Sequence, residues 1–99
     1  MTKADIVKEI SEKTGIDKQN VLTTVEAFMD AVKKSLTVEE NVYLRGFGSF
    51  IVKKRATKTA RNISQNTTII IPEHNIPAFK PAKSFVKLLS GEEITEEDD

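Results

Sequence analysis

The chain has 99 residues, no cysteine and a formal net charge of zero. A chain of this length forms one small domain that buries only about 60–65% of its unfolded surface, so its own core is thin. Because cysteines are lacking, disulfides and a Cys/His metal site are excluded, and association with a second chain is the ordinary remedy. The first residues include Asp5 and Glu9 where a secretory signal has an apolar core, and no segment approaches about 18 apolar residues. We therefore expect a soluble intracellular protein.

The zero net charge hides an uneven distribution of charge along the chain. Residues 1–40 hold 6 basic and 8 acidic residues, and residues 41–87 hold 9 basic residues and one acid. Residues 88–99 hold 6 acids and no base, so the three parts carry charges of −2, +8 and −6. The middle of the chain is therefore predicted to be a basic binding surface, followed by an acidic tail.

Two helices are predicted over the first forty residues. Thr2 is placed to cap the first helix, and Gly15 supplies its left-handed stop. Asp17 caps the second helix, whose apolar residues recur at spacings of three and four over residues 21–36. This apolar stripe is too wide for the short first helix to cover, which indicates that another surface, such as a partner chain, covers it.

The period of the apolar residues changes to two after residue 41. The segment NVYLRGFGSFIV predicts a strand, a tight turn at the glycines and a second strand. Between it and the β-rich run TTIIIP lies a basic, Thr-rich stretch with few large apolar side chains, so we expect a two-stranded arm at about residues 53–75. The segment HNIPAFKPAKSFVKLL predicts a return to the body and a short C-terminal helix, followed by a disordered acidic tail at 91–99.

The sequence contains few residues in patterns that are typical of catalytic sites. The single histidine, His74, has no second type of metal ligand beside it. The Gly-x-Gly of RGFGSF stops short of a phosphate-binding pattern and is better explained as a turn between strands, and GxSxG and HExxH are absent. We therefore expect a protein that is not an enzyme and that has neither a metal site nor a cofactor.

The basic arm suits duplex nucleic acid. A two-stranded ribbon fits a groove, and each neutralised phosphate releases counterions, which gives salt-sensitive and sequence-tolerant binding. The plainer alternative is a solvated charged edge that prevents strand aggregation. A rival function is a protein-interaction module, in which the ribbon docks on an acidic partner or on a partner's sheet edge. RNA ranks below DNA because the chain has one Tyr and no Trp to stack on single-stranded bases.

Ile63 is an isolated branched apolar residue in the polar turn ARNISQN. One interpretation is that it packs back on its own ribbon or is a tolerated surface residue. The other is that it acts as a wedge between base pairs, as apolar residues do in architectural minor-groove binders. The residue type alone does not decide between the two.

Three motifs together resemble the bacterial HU/IHF family of nucleoid-associated DNA-binding proteins: RGFGSF at 45–50, ARN at 60–62 and IPAFKPAKSF at 76–85. The resemblance covers residues 1–90. It implies an α+β fold in an intertwined homodimer, with a helical-hairpin base, a three-stranded antiparallel sheet, a protruding two-stranded β-arm and a short C-terminal helix. A heterodimer with a related chain stays open.

The functional implication of the resemblance is an architectural protein of the nucleoid, in the cytoplasm. Such a protein binds duplex DNA through the minor groove, bends and condenses it, and reads little base sequence. A general HU-like compactor and a site-selective IHF-like bender are both compatible with the motifs.

The resemblance also assigns roles to individual residues. The dimer core is expected to hold the aromatic residues Phe47, Phe50 and Phe79. The DNA-binding residues of the arm are expected to be Arg55, Lys58 and Arg61, with Asn62 near the tip. The body lysines expected to hold flanking phosphates are Lys3, Lys18 and Lys83. Further basic neighbours with a weaker assignment are Lys53, Lys54 and Lys80.

Three positions depart from the family pattern. Ile63 stands where the family usually has a proline at the arm tip. Proline is the more rigid wedge because its φ is fixed, so the resemblance does not extend to the bend angle or to a preference for distorted DNA. Asn66 replaces a common glycine but tolerates positive φ. Ala82 replaces a glycine at the start of the third helix, which bears on the position of Lys83. The acidic tail lies beyond the resemblance, and it is either a solubilising terminus or a competitor for the phosphate-binding cations.

Overall fold

The computed structural model describes residues 1–62 and 67–91. Three helices and five strands follow one another along the chain as α1 (Lys3–Thr14), α2 (Lys18–Thr37), β1 (Val42–Leu44), β2 (Gly48–Arg55), β3 (Lys58–Asn62), β4 (Thr67–Ile71), β5 (His74–Pro81) and α3 (Lys83–Ser90). The predicted α+β fold is confirmed, with a helical hairpin, an antiparallel sheet and a short C-terminal helix. None of the helices in the described residues is both long and apolar enough to cross a membrane.

The helical hairpin is held by the caps that the sequence predicts. The Thr2 hydroxyl accepts a hydrogen bond from the Asp5 N–H at 3.3 Å, and the Thr2 N–H donates to the Asp5 carboxylate at 2.9 Å. The Thr2 N–H, together with the Thr2 hydroxyl, which also donates to the Asp5 carboxylate at 3.0 Å, stabilises the charged carboxylate and lowers the pKa of Asp5. Gly15 ends α1 with φ of 79°, and the Asp17 carboxylate accepts from the Gln19 N–H at 3.1 Å to begin α2.

The strands form two separate antiparallel sheets. The body sheet has the order β1-β2-β5, and β2 pairs with β5 from Gly48 opposite Pro81 to Arg55 opposite His74. The arm is a two-stranded sheet of β3 and β4. Residues 56–57 and 72–73 belong to neither sheet. The separate arm sheet is therefore shorter than the stretch 53–75, because residues 53–55 still pair with β5.

The core of one chain is small. The buried apolar residues are Val7, Val21 and Ala82, and no described side chain is fully buried. An aromatic cluster joins the sheet to α3, with ring centroids 5.0–6.5 Å apart among Phe47, Phe50, Phe79 and Phe85. Much of this cluster is nevertheless open to solvent, since Phe47 is 45% and Phe79 is 39% exposed.

The wide apolar stripe of α2 is not covered by α1. Phe28 and Met29 are 44% and 37% exposed on this helix. Beside them an open apolar cavity separates α2 from the sheet, and its lining includes Val32, Leu36 and Phe50. A single chain therefore leaves apolar surface exposed along α2 and beside the body sheet.

Candidate nucleic-acid interface

Three consecutive cations form the end of β2 that leads into the arm. Lys53, Lys54 and Arg55 are exposed and pair with residues 76, 75 and 74 of β5. Because side chains alternate along a strand, Lys53 and Arg55 share one face of the sheet and Lys54 lies on the other. The body sheet therefore carries positive charge on both faces where the arm begins.

Lys54 has an acidic partner at the base of the arm. Its ammonium Nζ lies 3.0 Å from a carboxylate oxygen of Glu73. The hydrogen bond to this carboxylate, together with its negative charge, raises the pKa of Lys54 above its ordinary 10.5, so the lysine is charged at neutral pH. Glu73 is the one acid of residues 41–87, and its charge offsets one cation of the basic region.

The arm has one basic strand and one uncharged strand. On β3, Lys58 lies opposite Ile71, Arg61 opposite Thr68 and Asn62 opposite Thr67. For Arg61 and Asn62, only the backbone pairing is described. Strand β4, with the sequence TTIII, has no charged residue. Ile63 and Asn66 lie outside the described residues, as does the acidic tail from residue 92 onwards.

The junction between arm and body contains a small set of polar contacts. The Thr57 hydroxyl accepts a hydrogen bond from the Glu73 N–H at 3.2 Å. This bond joins the two segments, 56–57 and 72–73, that connect the arm to the body sheet. The His74 ring nitrogen Nδ1 lies 2.9 Å from the Pro72 carbonyl oxygen. Across the described parts of the chain, His74 and its neighbours form no group of three or more side chains suited to hold a metal ion.

The three body lysines predicted to hold phosphate each begin a helix. Lys3, Lys18 and Lys83 are the first residues of α1, α2 and α3. At these positions the positive end of the helix dipole adds to the charge of the lysine. Lys3 also has a partner, since its Nζ lies 3.1 Å from a carboxylate oxygen of Glu26 on α2.

A cavity of about 620 Å³ lies between the β1–β2 turn and the start of α3, and we call it the turn–helix cavity. Its basic lining residues are Arg45, Lys80 and Lys83, and none of its lining residues is acidic. The structure thus brings two of the predicted DNA-binding lysines together. It adds Arg45, which the sequence analysis did not assign as a site residue. The feature of the sequence that could have identified Arg45 is its position in the tight turn of the basic region.

Gly48 permits the close packing that forms this cavity. A Cβ atom at Gly48 would lie 2.6 Å from the Lys80 carbonyl oxygen and 2.6 Å from the Phe79 ring. Glycine therefore allows the turn to approach β5, and this approach sets Arg45 near Lys80. Ala82 still begins α3 without a side-chain cap, and its N–H donates to the Phe47 carbonyl at 2.9 Å.

Comparison with known proteins places this arrangement in a family. The model of the family described as bacterial DNA-binding protein matches residues 1–90. DNA-binding protein HRL53 of Rhizobium leguminosarum is 35% identical over 91 residues, which cover 92% of this chain and 100% of the relative. Integration host factor subunit alpha of Anaeromyxobacter sp. (strain K) is 34% identical over 92 residues, covering 93% of this chain and 81% of the relative.

A solved structure supports the same assignment. The chain resembles the protein in an Anabaena HU–DNA cocrystal structure, with a TM-score of 0.87 and 28% sequence identity. The match covers 91% of this chain and 98% of the Anabaena chain. The family is one of DNA-binding proteins and not of enzymes. Both the family model and the curated relatives thus show that this chain belongs to the bacterial HU/IHF family of DNA-binding proteins.

Proposed function

We propose that this protein is an architectural DNA-binding protein that holds duplex DNA with its basic arms and bends it. The observation that carries the proposal is the net charge of +8 in residues 41–87. The described cations of this region lie mainly at the arm and around the turn–helix cavity. These charges belong to a chain of the HU/IHF family, and its structural neighbour was crystallised with DNA. We infer from the same membership that the protein acts in the cytoplasm, associated with the nucleoid.

The arm is the part suited to a groove. A two-stranded ribbon is narrow, and the exposed Arg55 and Lys58 stand at the start of its basic side. Phosphate contacts of this kind carry little sequence information, and the minor groove offers a degenerate base pattern. Affinity should therefore depend on salt and on DNA deformability more than on base sequence.

The body is suited to hold the flanking DNA. Lys3, Lys18 and Lys83 begin three helices, and Arg45 and Lys80 join Lys83 at the turn–helix cavity. Cations separated from the arm in this way let one protein contact DNA on both sides of the arm. Contacts along a longer stretch of duplex favour bending, because the energy of the added contacts offsets the cost of bending.

The functional unit is proposed to be a homodimer. Phe28 on α2 and Phe47 and Phe79 of the aromatic cluster are 39–45% exposed in one chain. Full burial of such a side chain contributes about 1.5–3 kcal/mol, and less than half of each ring remains to be covered, so burying the three rings stabilises an assembly by about 2–4 kcal/mol for each chain. An aromatic core shared by two chains also brings two arms into one particle, so one duplex is held from two sides.

The bend is proposed to involve Ile63. It lies outside the described residues, and its role rests on residue type and on its place in the sequence directly after β3. An isoleucine between stacked base pairs unstacks one step at a cost of a few kcal/mol. Its branched side chain has a restricted χ1, which makes it a fairly stiff wedge.

End-to-end FRET on a doubly labelled duplex of about 35 base pairs tests binding and bending together. Wild type should raise the FRET signal, and its affinity should fall linearly with salt on a log–log plot. Ile63→Ala should lose most of the FRET rise and keep most of the salt-dependent affinity. Ile70→Ala is the matched control, because Ile70 is an arm isoleucine that is 69% exposed on β4.

The outcomes separate the parts of the proposal. Unchanged bending in Ile63→Ala would remove the wedge and leave an architectural binder. Binding without bending would leave DNA binding alone. Binding that does not weaken with salt, or no binding at all, would contradict the DNA proposal and favour the rival protein-interaction function.

A further inference from the structure

An open cavity lies where the arm meets the body sheet, and we call it the junction cavity. It has a volume of about 630 Å³ and is found where β2 and β4 end and β3 and β5 begin. Its lining residues are Arg55, Ala56, Thr57, Lys58, Ile71, His74 and Ile76. Three of them, Arg55, Lys58 and His74, can carry positive charge, and none of the seven is acidic. Such a lining suits an anion with several acceptor oxygens, such as a phosphate group.

The strand pairing brings these three side chains to one place. Arg55 lies directly opposite His74 at the last position of the β2–β5 pairing, and Lys58 lies opposite Ile71 at the first position of the arm pairing. Arg55, Lys58 and His74 are all exposed, so a ligand can reach them from solvent. Because the cavity includes residues of both sheets, an anion bound in it contacts the arm and the body at the same time.

The His74 ring is held so that one nitrogen can meet a ligand. Its Nδ1 lies 2.9 Å from the Pro72 carbonyl oxygen. A carbonyl oxygen only accepts hydrogen bonds, so this contact requires a proton on Nδ1, and Nε2 is then the acceptor of the neutral ring. Protonation of Nε2 adds a second donor and leaves the Nδ1 hydrogen bond in place. The ring therefore changes from acceptor to donor at Nε2 without rearrangement.

Two acids lie near His74, and each has another partner. Glu73 directly precedes it, and the Glu73 carboxylate lies 3.0 Å from the Nζ of Lys54. Glu39 accepts a hydrogen bond from the side chain of Asn75 at 2.9 Å. Because side chains alternate along a strand, Asn75 lies on the face of β5 opposite to His74. The junction cavity itself is therefore lined by cations and neutral groups.

The charged residues on the same face as His74 are basic. Arg55 is its partner on β2, Lys53 shares the face of Arg55, and Lys58 lies across the cavity on β3. A phosphate among these groups favours the charged form of the imidazole through its negative charge. Histidine ordinarily changes its charge near pH 6.5, so at neutral pH a bound phosphate should draw a proton from solvent onto the ring.

We propose that the junction cavity is a phosphate-binding site in which His74 acts together with Arg55 and Lys58, and that a DNA phosphate bound there is accompanied by protonation of His74 at Nε2. The proposal rests on the proposed function in naming DNA as the source of the phosphate. The site itself should bind any anion of the same shape and charge. Because the complex holds more protons than the separate partners, DNA affinity should rise as pH falls through about 6.5.

The first test uses the free protein and inorganic sulfate, which has the shape of phosphate and keeps its charge near pH 7. His74 is the single histidine, so its imidazole nitrogens give an unambiguous ¹⁵N NMR signal. At pH 7, about 50 mM sulfate should move the Nε2 signal toward that of a protonated ring, relative to chloride at the same ionic strength. The shift should fall at least about threefold in Arg55→Gln/Lys58→Gln, because two of the three anion-binding groups are then lost.

The matched control for this test is Lys8→Gln/Lys13→Gln. It also removes two exposed cations, but from α1. The sulfate shift of His74 should persist in this variant, since the junction cavity is intact. A loss of the shift in both double variants would assign the effect to the general charge of the protein and would overturn the site.

The second test measures the affinity of the full chain for a labelled duplex at pH 6 and pH 8. Wild type should bind about five- to tenfold more tightly at pH 6, and its log–log salt slope should be steeper there by about 0.9 for each His74 that meets a phosphate. His74→Gln should lose this pH dependence, with a change below about twofold. The N-terminal amine, which ordinarily titrates near pH 7.7–8.0, is the same in both proteins.

The control for the position of the histidine is His74→Gln/Thr24→His. It keeps one histidine in each chain but moves it to an exposed position on α2. The overall charge of the chain then follows pH as in wild type, so only the location of the imidazole differs. This variant should remain as insensitive to pH as His74→Gln.

The outcomes distinguish the phosphate site from the proposed function. No sulfate shift in wild type, or an equal shift in Arg55→Gln/Lys58→Gln, would overturn the site whether or not DNA binds. Duplex binding that is equally pH-dependent in wild type and His74→Gln, or restored to pH dependence by Thr24→His, would overturn the role of His74 and leave the architectural function standing. A sulfate shift that requires Arg55 and Lys58, with no DNA binding at either pH, would uphold the site and contradict the proposed function.

Discussion

The Nζ atom of Lys3 lies 3.1 Å from a carboxylate oxygen of Glu26, so a lysine expected to meet DNA phosphate already holds a carboxylate in the free chain. The two side chains are 46% and 50% exposed. An exposed pair of this kind contributes at most about 1 kcal/mol. Phosphate can therefore replace Glu26, but binding through Lys3 loses whatever the pair contributes.

Glu26→Gln should tighten DNA binding by about two- to fivefold at low salt, because it removes the competing carboxylate and leaves Lys3 to the phosphate. Fluorescence anisotropy with a labelled duplex measures the change. Asp30→Asn is the matched control, since it removes one exposed acid from the same helix about one turn away. Equal effects of the two variants would mean that general charge, and not the pair with Lys3, is responsible.

Glu73→Gln should strengthen DNA binding by about two- to threefold at low salt, because Lys54 then loses its carboxylate partner. The raised pKa of Lys54 means that the pair persists below the ordinary value of 10.5 and is lost only as pH rises through the folded value. The gain should therefore be constant between roughly pH 6 and pH 9.

The control for this change is Glu40→Gln, which removes an exposed acid from the loop after α2. It should alter affinity by less than about 1.5-fold. A gain in Glu73→Gln that varies steeply between pH 6 and 9 would contradict the role of Lys54, because that lysine stays charged across this range.

Phe79→Ala should impair chain association. If Phe79 lies in a core shared by two chains, its truncation should lower the free energy of unfolding by about 3–5 kcal/mol. Thermal melts over a wide concentration range, combined with sedimentation equilibrium, measure this. The midpoint of wild type should rise with protein concentration, as expected when folding and association are coupled.

Tyr43→Ala is the control for Phe79→Ala, because Tyr43 is also an aromatic strand residue but is 73% exposed. It should change stability by less than about 1 kcal/mol. A wild-type midpoint that is independent of concentration, with sedimentation as a monomer, would rule out the homodimer.

Gly48→Ala should destabilise the fold by about 2–3 kcal/mol, because the new Cβ would meet the Lys80 carbonyl oxygen and the Phe79 ring at 2.6 Å. Chemical denaturation measures the loss. Gly15→Ala is the comparison, since Gly15 has φ of 79° and open space around it, so only the left-handed backbone costs energy, about 1 kcal/mol. Similar losses of unfolding free energy in both variants would show that β5 shifts to make room for the added methyl group.

The local signals in the sequence predicted most of the secondary structure. The caps at Thr2 and Asp17 and the stop at Gly15 were predicted because each depends on residues within one turn of helix. The change of apolar period after residue 41 located the strands for the same reason. The excess apolar surface of α2 was also predictable, because the width of a stripe is a property of one helix.

Features that join distant parts of the chain were not predictable from local patterns. The pair between Lys3 and Glu26 connects residues 23 positions apart. The turn–helix cavity joins Arg45 to Lys80 and Lys83, and only the pairing of β2 with β5 brings them together. The division into two sheets depends on which strand pairs with which, and alternation along one strand carries no such information.

The division between the two sheets makes the structure of the body largely independent of the sequence of the arm. Because residues 56–57 and 72–73 lie outside both sheets, no continuous ladder of hydrogen bonds transmits changes in the arm to the body. A two-stranded ribbon is only marginally stable by itself, so the body gains little stability from it. Arm sequences can therefore diverge or be grafted between relatives while the body sheet, with its pairing from Gly48 to Arg55, keeps its register.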